Sequence, residues 1–255
     1  AAVRKSYEIF NRYSDQYFSG RRITFFVTAV LAREAPDLIK KIYDDGHEIA
    51  CHYNFHDDVD NETAETFGAN LDIAIETLRS ITGERPLGFR APNFAISSNN
   101  TFAYEELAKR FKYDSSYKTS EQKSQIFKNE QFLFGDEALK EFCVYGMPYA
   151  FDKINIRTGG TFLRLFPVNL TIRAMKQAYH KQHAPILYLH PHEILTEREF
   201  WLTWKDLNFM TTKQRIVFWL RQNQWSNLGN KTVETKIRQI CKSFEHQGPM
   251  RELLD

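Results

Sequence analysis

His52 and His56 lie four residues apart in His52-Tyr53-Asn54-Phe55-His56, directly after the short run Glu48-Ile49-Ala50-Cys51. Two neutral imidazoles at the end of a strand can grip one divalent ion, zinc above all. They leave room around it for a carboxylate and a reacting water. The same spacing at a surface turn is more often two solvated side chains, so a metal site needs a third ligand and outer partners as well. Three more polar groups each close an apolar run. Arg90 follows Leu87-Gly88-Phe89, Asp114 follows Phe111-Lys112-Tyr113, and His190 follows Ile186-Leu187-Tyr188-Leu189. Singly, each has a plain explanation: Arg90 pairs a carboxylate, Asp114 caps a turn, and His190 before Pro191 is a satisfied rim histidine. Four such groups at successive strand ends are harder to dismiss, because parallel α/β folds gather their sites there.

The elements that must position these groups alternate along the chain. Tyr7, Ile9, Phe10, Tyr13 and Tyr17 give Arg4 to Tyr17 a near-helical spacing that Gly20 ends. Ile23-Thr24-Phe25-Phe26-Val27 is an unalternating β-branched and aromatic run, as in a strand buried on both faces. Pro36 to Asp45 reads as a helix stopped by Gly46, with His47 to His52 the next strand, which makes a βαβ unit. Thr63 to Ile81 carries Phe67, Leu71, Ile75 and Leu78 on one stripe, with Gly83 after it. Leu87 to Arg90 is a short strand, and Ser97 or Ser98 can cap a helix running through Phe111. Phe111 to Ser116 reads as a strand, Tyr117 to Glu141 as an excursion or loop, and Phe142 to Tyr145 as a strand. Gly159-Gly160 marks a tight turn, Val168 to Lys181 a helix, Ile186 to Leu189 a buried strand, and Thr232 to Phe244 a last helix.

The 255 residues, 42% of them hydrophobic, suffice for one sizeable core, and no linker or repeat divides them. The expectation is a single α/β domain over 1–255, a β/α barrel or a doubly wound sheet. A net charge of +2 gives no electrostatic case for a nucleic-acid partner. Cys51, Cys143 and Cys241 are odd in number and widely spaced, which argues against a disulfide framework and for a reducing compartment. No stretch approaches a membrane span and the first residues carry no apolar leader, so the chain reads as cytoplasmic, with oligomeric state open. All four tryptophans fall between Trp201 and Trp225, beside Phe200, Phe209 and Phe218. Core or interface area is the first reading of this cluster, and a glycan-stacking platform the second.

The ordered set Thr24-Phe25-Phe26-Val27, Gly46-His47-Glu48-Ile49 leading to His52 and His56, Gly88-Phe89-Arg90-Ala91-Pro92, Tyr113-Asp114-Ser115-Ser116, Gly159-Gly160 and Leu189-His190-Pro191-His192-Glu193 resembles the polysaccharide deacetylases with the NodB homology domain. It looks closest to their exopolysaccharide and lipopolysaccharide-cluster branch. The resemblance runs from about residue 5 to 245. It implies a distorted, seven-stranded β/α barrel and metal-dependent removal of an N-acetyl group from an amino sugar. It also implies that His52 and His56 are metal ligands, with zinc preferred, that Arg90 holds the catalytic carboxylate, and that His190 is the general acid protonating the departing amine. Asp114 or Glu193 is the carboxylate that tunes His190. Pro92, Asn93, Gly160 and His192 are the candidate substrate contacts.

The pattern departs from the family at one place. Its early strand, ending in an acidic pair or Asp-x-Glu that supplies base and third ligand, has no counterpart before Ile23. The expectation is that this strand lies ahead of Ala1. Asp57 or Asp58 is the alternative ligand, and an empty metal site is the third reading. The functional expectation is a sugar N-deacetylase of surface-polysaccharide or O-antigen synthesis. A hydrolase of linear or cyclic non-sugar amides and an inactive carbohydrate-binding or scaffold protein are the alternatives.

Overall fold

The computed structural model describes residues 2–57, 59, 62–96, 101–119, 131–151, 153–197 and 202–254, without the side chains of 224–226. Helix α1 (Ala2–Tyr17) buries Tyr7, Phe10 and Tyr13, as its spacing predicts. Strand β1 (Thr24–Val27) leads into α2 (Ala29–Glu34), a helix too short for its periodicity to be legible. The Thr28 hydroxyl starts α2 by accepting from the Leu31 amide at 3.4 Å. Then come α3 (Pro36–Asp44), β2 (Glu48–Cys51), α4 (Ala64–Thr82), β3 (Gly88–Phe89), α5 (Thr101–Ala108) and β4 (Tyr113–Asp114). Helix α4 opens with a Thr63–Thr66 capping box and ends at left-handed Gly83. The expected caps of α5, Ser97 and Ser98, lie outside the described residues.

The second half is richer in strands than its composition suggests: β5 (Lys118–Thr119), β6 (Gln131–Phe134), β7 (Glu137–Glu141), β8 (Val144–Tyr149) and β9 (Ile154–Arg157). Helices α6 (Gly160–Leu165), α7 (Val168–His180), α8 (Thr212–Asn227) and α9 (Val233–Ile240) complete the elements. One sheet runs β1-β2-β3-β4-β7-β6, parallel through β7 and antiparallel at β6, and a second runs β5-β8-β9. This is the distorted α/β barrel architecture. Among the described residues its wall is divided into nine short strands rather than the expected seven.

Two sequence readings are corrected here. The Tyr117–Glu141 excursion holds a β-hairpin, β6 and β7, whose second strand lies in register with β4, Asp114 opposite Glu141. Its polar residues hide a period of two, in which Phe132 and Phe134 face inward while Gln131 and Leu133 are exposed. Residues 120–130 of that stretch lie outside the description. The strand expected at Ile186–Leu189 is reduced to one parallel bridge, Tyr188 with Gly159. The approach is so close that a Cβ on Gly159 would meet the Tyr188 carbonyl oxygen at 2.0 Å. Thr158 adds a hydroxyl bond to the Ile186 carbonyl beside it.

The main core lies between β1–β4 and helices α2–α5, with Phe67, Leu71, Ile75, Phe89 and Leu107 fully enclosed. Each such side chain contributes about 1.5–3 kcal/mol by leaving water. A second cluster joins Phe10 and Tyr13 of α1 to Leu163, Ile194, Val233 and Ile237. Among the described residues of the tryptophan-rich region, Leu207 is buried and the large aromatics are not. Trp204, Phe209 and Phe218 are exposed, and Trp201 and the Trp225 side chain are outside the description. Among the described residues no helix is long and apolar enough to cross a membrane. The three cysteines are unpaired, as their spacing suggests.

Candidate active site

The strand ends bring His52, His56, Arg90 and His190 into one electrostatic neighbourhood. Burial pushes the His52 imidazole down to about 3, and the neighbouring His56, Arg90 and His190 groups add to this. His52 continues β2, its amide donating to the Val27 carbonyl at 2.9 Å. Its Nδ1 meets the Arg90 carbonyl oxygen at 2.7 Å, so Nδ1 carries the proton and Nε2 keeps a free lone pair. The exposed His56 ring lies 5.3 Å from that of His52, at 72°. Between them Tyr53 takes the left-handed conformation, φ +71°. The loop is pinned by Ala29 N to the Tyr53 carbonyl at 3.0 Å, Val30 N to the Asn54 carbonyl at 3.1 Å, and the Tyr53 hydroxyl to Glu62 at 2.9 Å. Strain of this kind persists where surrounding bonds over-determine the backbone. His47, five residues earlier, is a contrast: fully buried, it accepts from the Ile23 amide and bonds Asn11, so both its nitrogens serve the fold.

Arg90 is buried at the end of β3. Its Nε donates to the Ser115 carbonyl at 3.1 Å and its Nη2 to the Ser115 hydroxyl at 2.8 Å. Phe26 lies 4.1 Å and Phe94 5.3 Å from the guanidinium carbon, and burial pushes Arg90 down to about 10. Among the described residues no carboxylate lies within ion-pair distance of Arg90. Asp114 acts one step back: its two oxygens take the Ser116 hydroxyl (2.6 Å) and amide (3.0 Å), while Ser116 Oγ accepts from Ala91 N at 2.7 Å. Burial pushes the Asp114 carboxyl up, and Glu141 lies opposite it in the sheet. The Asp114–Ser116 turn thus sets the Arg90–Ala91 backbone. Pro92 follows, buried, and Asn93 and Phe94 both take positive φ, which places the Phe94 ring 5.1 Å from Tyr188.

On the opposite rim, His190 is half-exposed, with its Nδ1 at 3.3 Å from Glu193 Oε2. Glu193 also accepts from the His190 amide at 2.8 Å and from Arg164 Nε at 3.2 Å. Burial pushes Glu193 up, yet bonds and charge from His190 hold it below the usual carboxylate range. Of the two carboxylates open in the sequence, Glu193 is the one on His190, and Asp114 spends its bonds on Ser116 and Glu141. The His192 ring centroid is 5.4 Å from that of His190, and Gly160 lies under the Tyr188 ring. Asp57 is exposed beyond His56, and Asp58 is outside the description. The sequence reading missed Ser115, Ser116 and Arg164. The two serines follow Asp114 directly and were a legible signal. Arg164 sits on the six-residue α6, with no pattern to announce it.

The sequence profile of the polysaccharide deacetylase family matches residues 19–114, the part that carries His52, His56, Arg90 and Asp114. That part of the chain is similar to the polysaccharide deacetylases. A second family profile, described as a domain of unknown function (DUF3473), matches residues 124–254, and the chain belongs to that family. The chain is 33% identical over 102 residues to a peptidoglycan deacetylase-like protein of Gibberella zeae, covering 40% of the chain and 30% of that protein. It is 39% identical over 75 residues to the peptidoglycan-N-acetylmuramic acid deacetylase PdaA of Bacillus subtilis, covering 29% of the chain and 28% of that protein. The chain thus spans about 30% of the length of these curated relatives. In fold it resembles a putative polysaccharide deacetylase from Mycobacterium smegmatis, with a TM-score of 0.59 at 18% identity over all of this chain and 76% of that one.

Proposed function

We propose that this chain is a metal-dependent hydrolase that removes the N-acetyl group of an amino sugar in surface-polysaccharide or O-antigen synthesis. The observation that carries this reading is the His52–Arg90 hydrogen bond. It fixes the His52 tautomer and leaves Nε2 free within reach of the His56 ring. The pair therefore fits a divalent cation, zinc by preference, with His52 and His56 as its two ligands from the described residues. When bound, such a cation lowers the pKa of a water toward about 7 and polarises an acetyl carbonyl. His190, oriented by Glu193 Oε2, is placed to protonate the departing amine. Arg90, held rigid by Ser115 and clamped by Phe26, offers a fixed positive charge for the carboxylate that takes the water proton. Pro92, Asn93, Gly160 and His192 border this rim as substrate contacts.

The same Arg90 favours a second reading. Without a carboxylate beside it among the described residues, the site also suits an inactive carbohydrate-binding or scaffold protein. One experiment separates them: zinc content and acetate release from N-acetylated oligosaccharides, measured on the full chain and on His52→Ala. Stoichiometric zinc and acetate, both lost in the variant, are expected. Neither metal nor acetate in the unaltered chain selects the scaffold, and acetate release by metal-free protein removes the metal from the reading.

A further inference from the structure

The turn His190-Pro191-His192-Glu193 is built unlike a simple rim loop. One side-chain ligand atom from each of His190, His192 and Glu193 falls in a cluster whose members all lie within 4.8 Å of one another. The two rings are 5.4 Å apart, close to the 5.3 Å of the His52–His56 pair, and nearly parallel at 14°. His190 Nδ1 and Glu193 Oε2 stand 3.3 Å apart, long for a charged hydrogen bond. It matches the roughly 3.3 Å that separates two ligand atoms each about 2.0–2.1 Å from a tetrahedral zinc.

His192 adds the observation that points to a ligand. Its Nε2 is buried and has no hydrogen-bond partner among the described residues, a costly state for a polar atom. Outer partners are already in place. Arg164 Nε holds the other Glu193 oxygen at 3.2 Å, and Asn230 Nδ2 donates to the His192 carbonyl at 2.7 Å. Glu193 Oε2 accepts the His190 amide with one lone pair and has a second to give. Half-exposed His190 opens the cluster to solvent.

We infer that His190, His192 and Glu193 form a second divalent-cation site, a two-histidine, one-carboxylate set for zinc, separate from the His52–His56 corner. A cation there occupies the His190 ring that the proposed acid role needs. Excess zinc is therefore expected to slow acetate release, a consequence that rests on the acid role proposed above for His190.

The test uses the metal-stripped full chain titrated with cobalt(II) chloride, read by the visible absorption of four-coordinate cobalt, and with zinc chloride by equilibrium dialysis. The His52→Ala protein is expected to retain one cation at the turn. Adding His192→Gln, or His190→Gln at the exposed ring, is expected to weaken that cation at least about 10-fold. Two outcomes overturn the site: His52→Ala protein that binds no cation, or double variants that bind as tightly as His52→Ala alone. Because the readout is binding, a chain that releases no acetate still answers it.

Discussion

The His52–Arg90 corner and the His190–Glu193 turn lie within electrostatic reach of each other, and they are held together by different forces. The corner hangs on the parallel sheet. His52 and Arg90 extend the ladder through their backbones, and their side chains are fixed by a carbonyl, a serine and two aromatic faces. It holds positive and neutral groups with no carboxylate in ion-pair contact among the described residues. The turn has almost no sheet behind it, only the Gly159–Tyr188 bridge, and it is built around the buried Arg164–Glu193 ion pair. One side is rigid and, among the described residues, pairs no carboxylate with its arginine; the other carries its own carboxylate and depends on it. Two-sided sites of this kind let one rim position a cation while the other tunes a proton.

The largest way to break the contrast is Arg164→Leu. Both partners of that pair are 1% exposed, and removing one strands a buried charge at a cost of about 3–5 kcal/mol. Urea unfolding is expected to show this loss. Zinc binding at the corner, measured on the fraction still folded, is expected to persist. An Arg164→Leu protein as stable as the parent would mean that the turn does not rest on the pair.

Acid comes next, and it acts on both sides, through His47 below the corner and His192 in the turn. Burial pushes His47, at the foot of β2, down to about 4 from an ordinary 6.5. A histidine whose folded pKa is depressed stabilises fully above its unfolded value, and that contribution is lost as pH falls from 6.5 toward 4. The loss is on the order of 3 kcal/mol. Glu193 is depressed too, so its contribution is lost only below the ordinary carboxylate range. Unfolding free energy measured between pH 7 and 4.5 is expected to fall for the parent and to stay flatter for His47→Gln, which lacks the titrating ring. Equal slopes would remove His47 from the account.

The smallest change is Ser115→Ala, which takes one charged hydrogen bond from Arg90 and one from the Phe142 carbonyl, and leaves the turn untouched. It is expected to cost about 1.5–3 kcal/mol in urea unfolding. If acetate release falls with it, the loss should appear in kcat more than in KM, because Arg90 acts on the reacting end of the site. An unchanged stability would show that the Ser115 carbonyl and the aromatic clamp suffice to fix the guanidinium.

Much of this was legible from residue order. The strands at Thr24–Val27 and Glu48–Cys51 and helices α1, α3, α4 and α7 follow from apolar spacing and from Gly and Pro at their ends. The placement of His52, Arg90 and His190 after apolar runs announced a shared rim, because a parallel strand delivers its last residue to one face. The β6–β7 hairpin was not legible, since a polar strand at the end of a sheet keeps only a weak alternation. Helix α2 and Arg164 escaped for the opposite reason: each belongs to a helix too short to display a period.

Sequence alone thus determined which groups could do chemistry and on which side of the fold they would emerge. Only tertiary structure decided which carboxylate meets which cation. Asp114 and Glu193 looked interchangeable as partners of His190, but register sets Asp114 opposite Glu141 inside the sheet, and the turn after Tyr188 brings Glu193 back onto His190. Hydrophobic periodicity is a local property that the chain carries in its order. The pairing of buried charges is a matter of a few ångströms between segments distant in sequence, and it exists only once the barrel wall has closed around them.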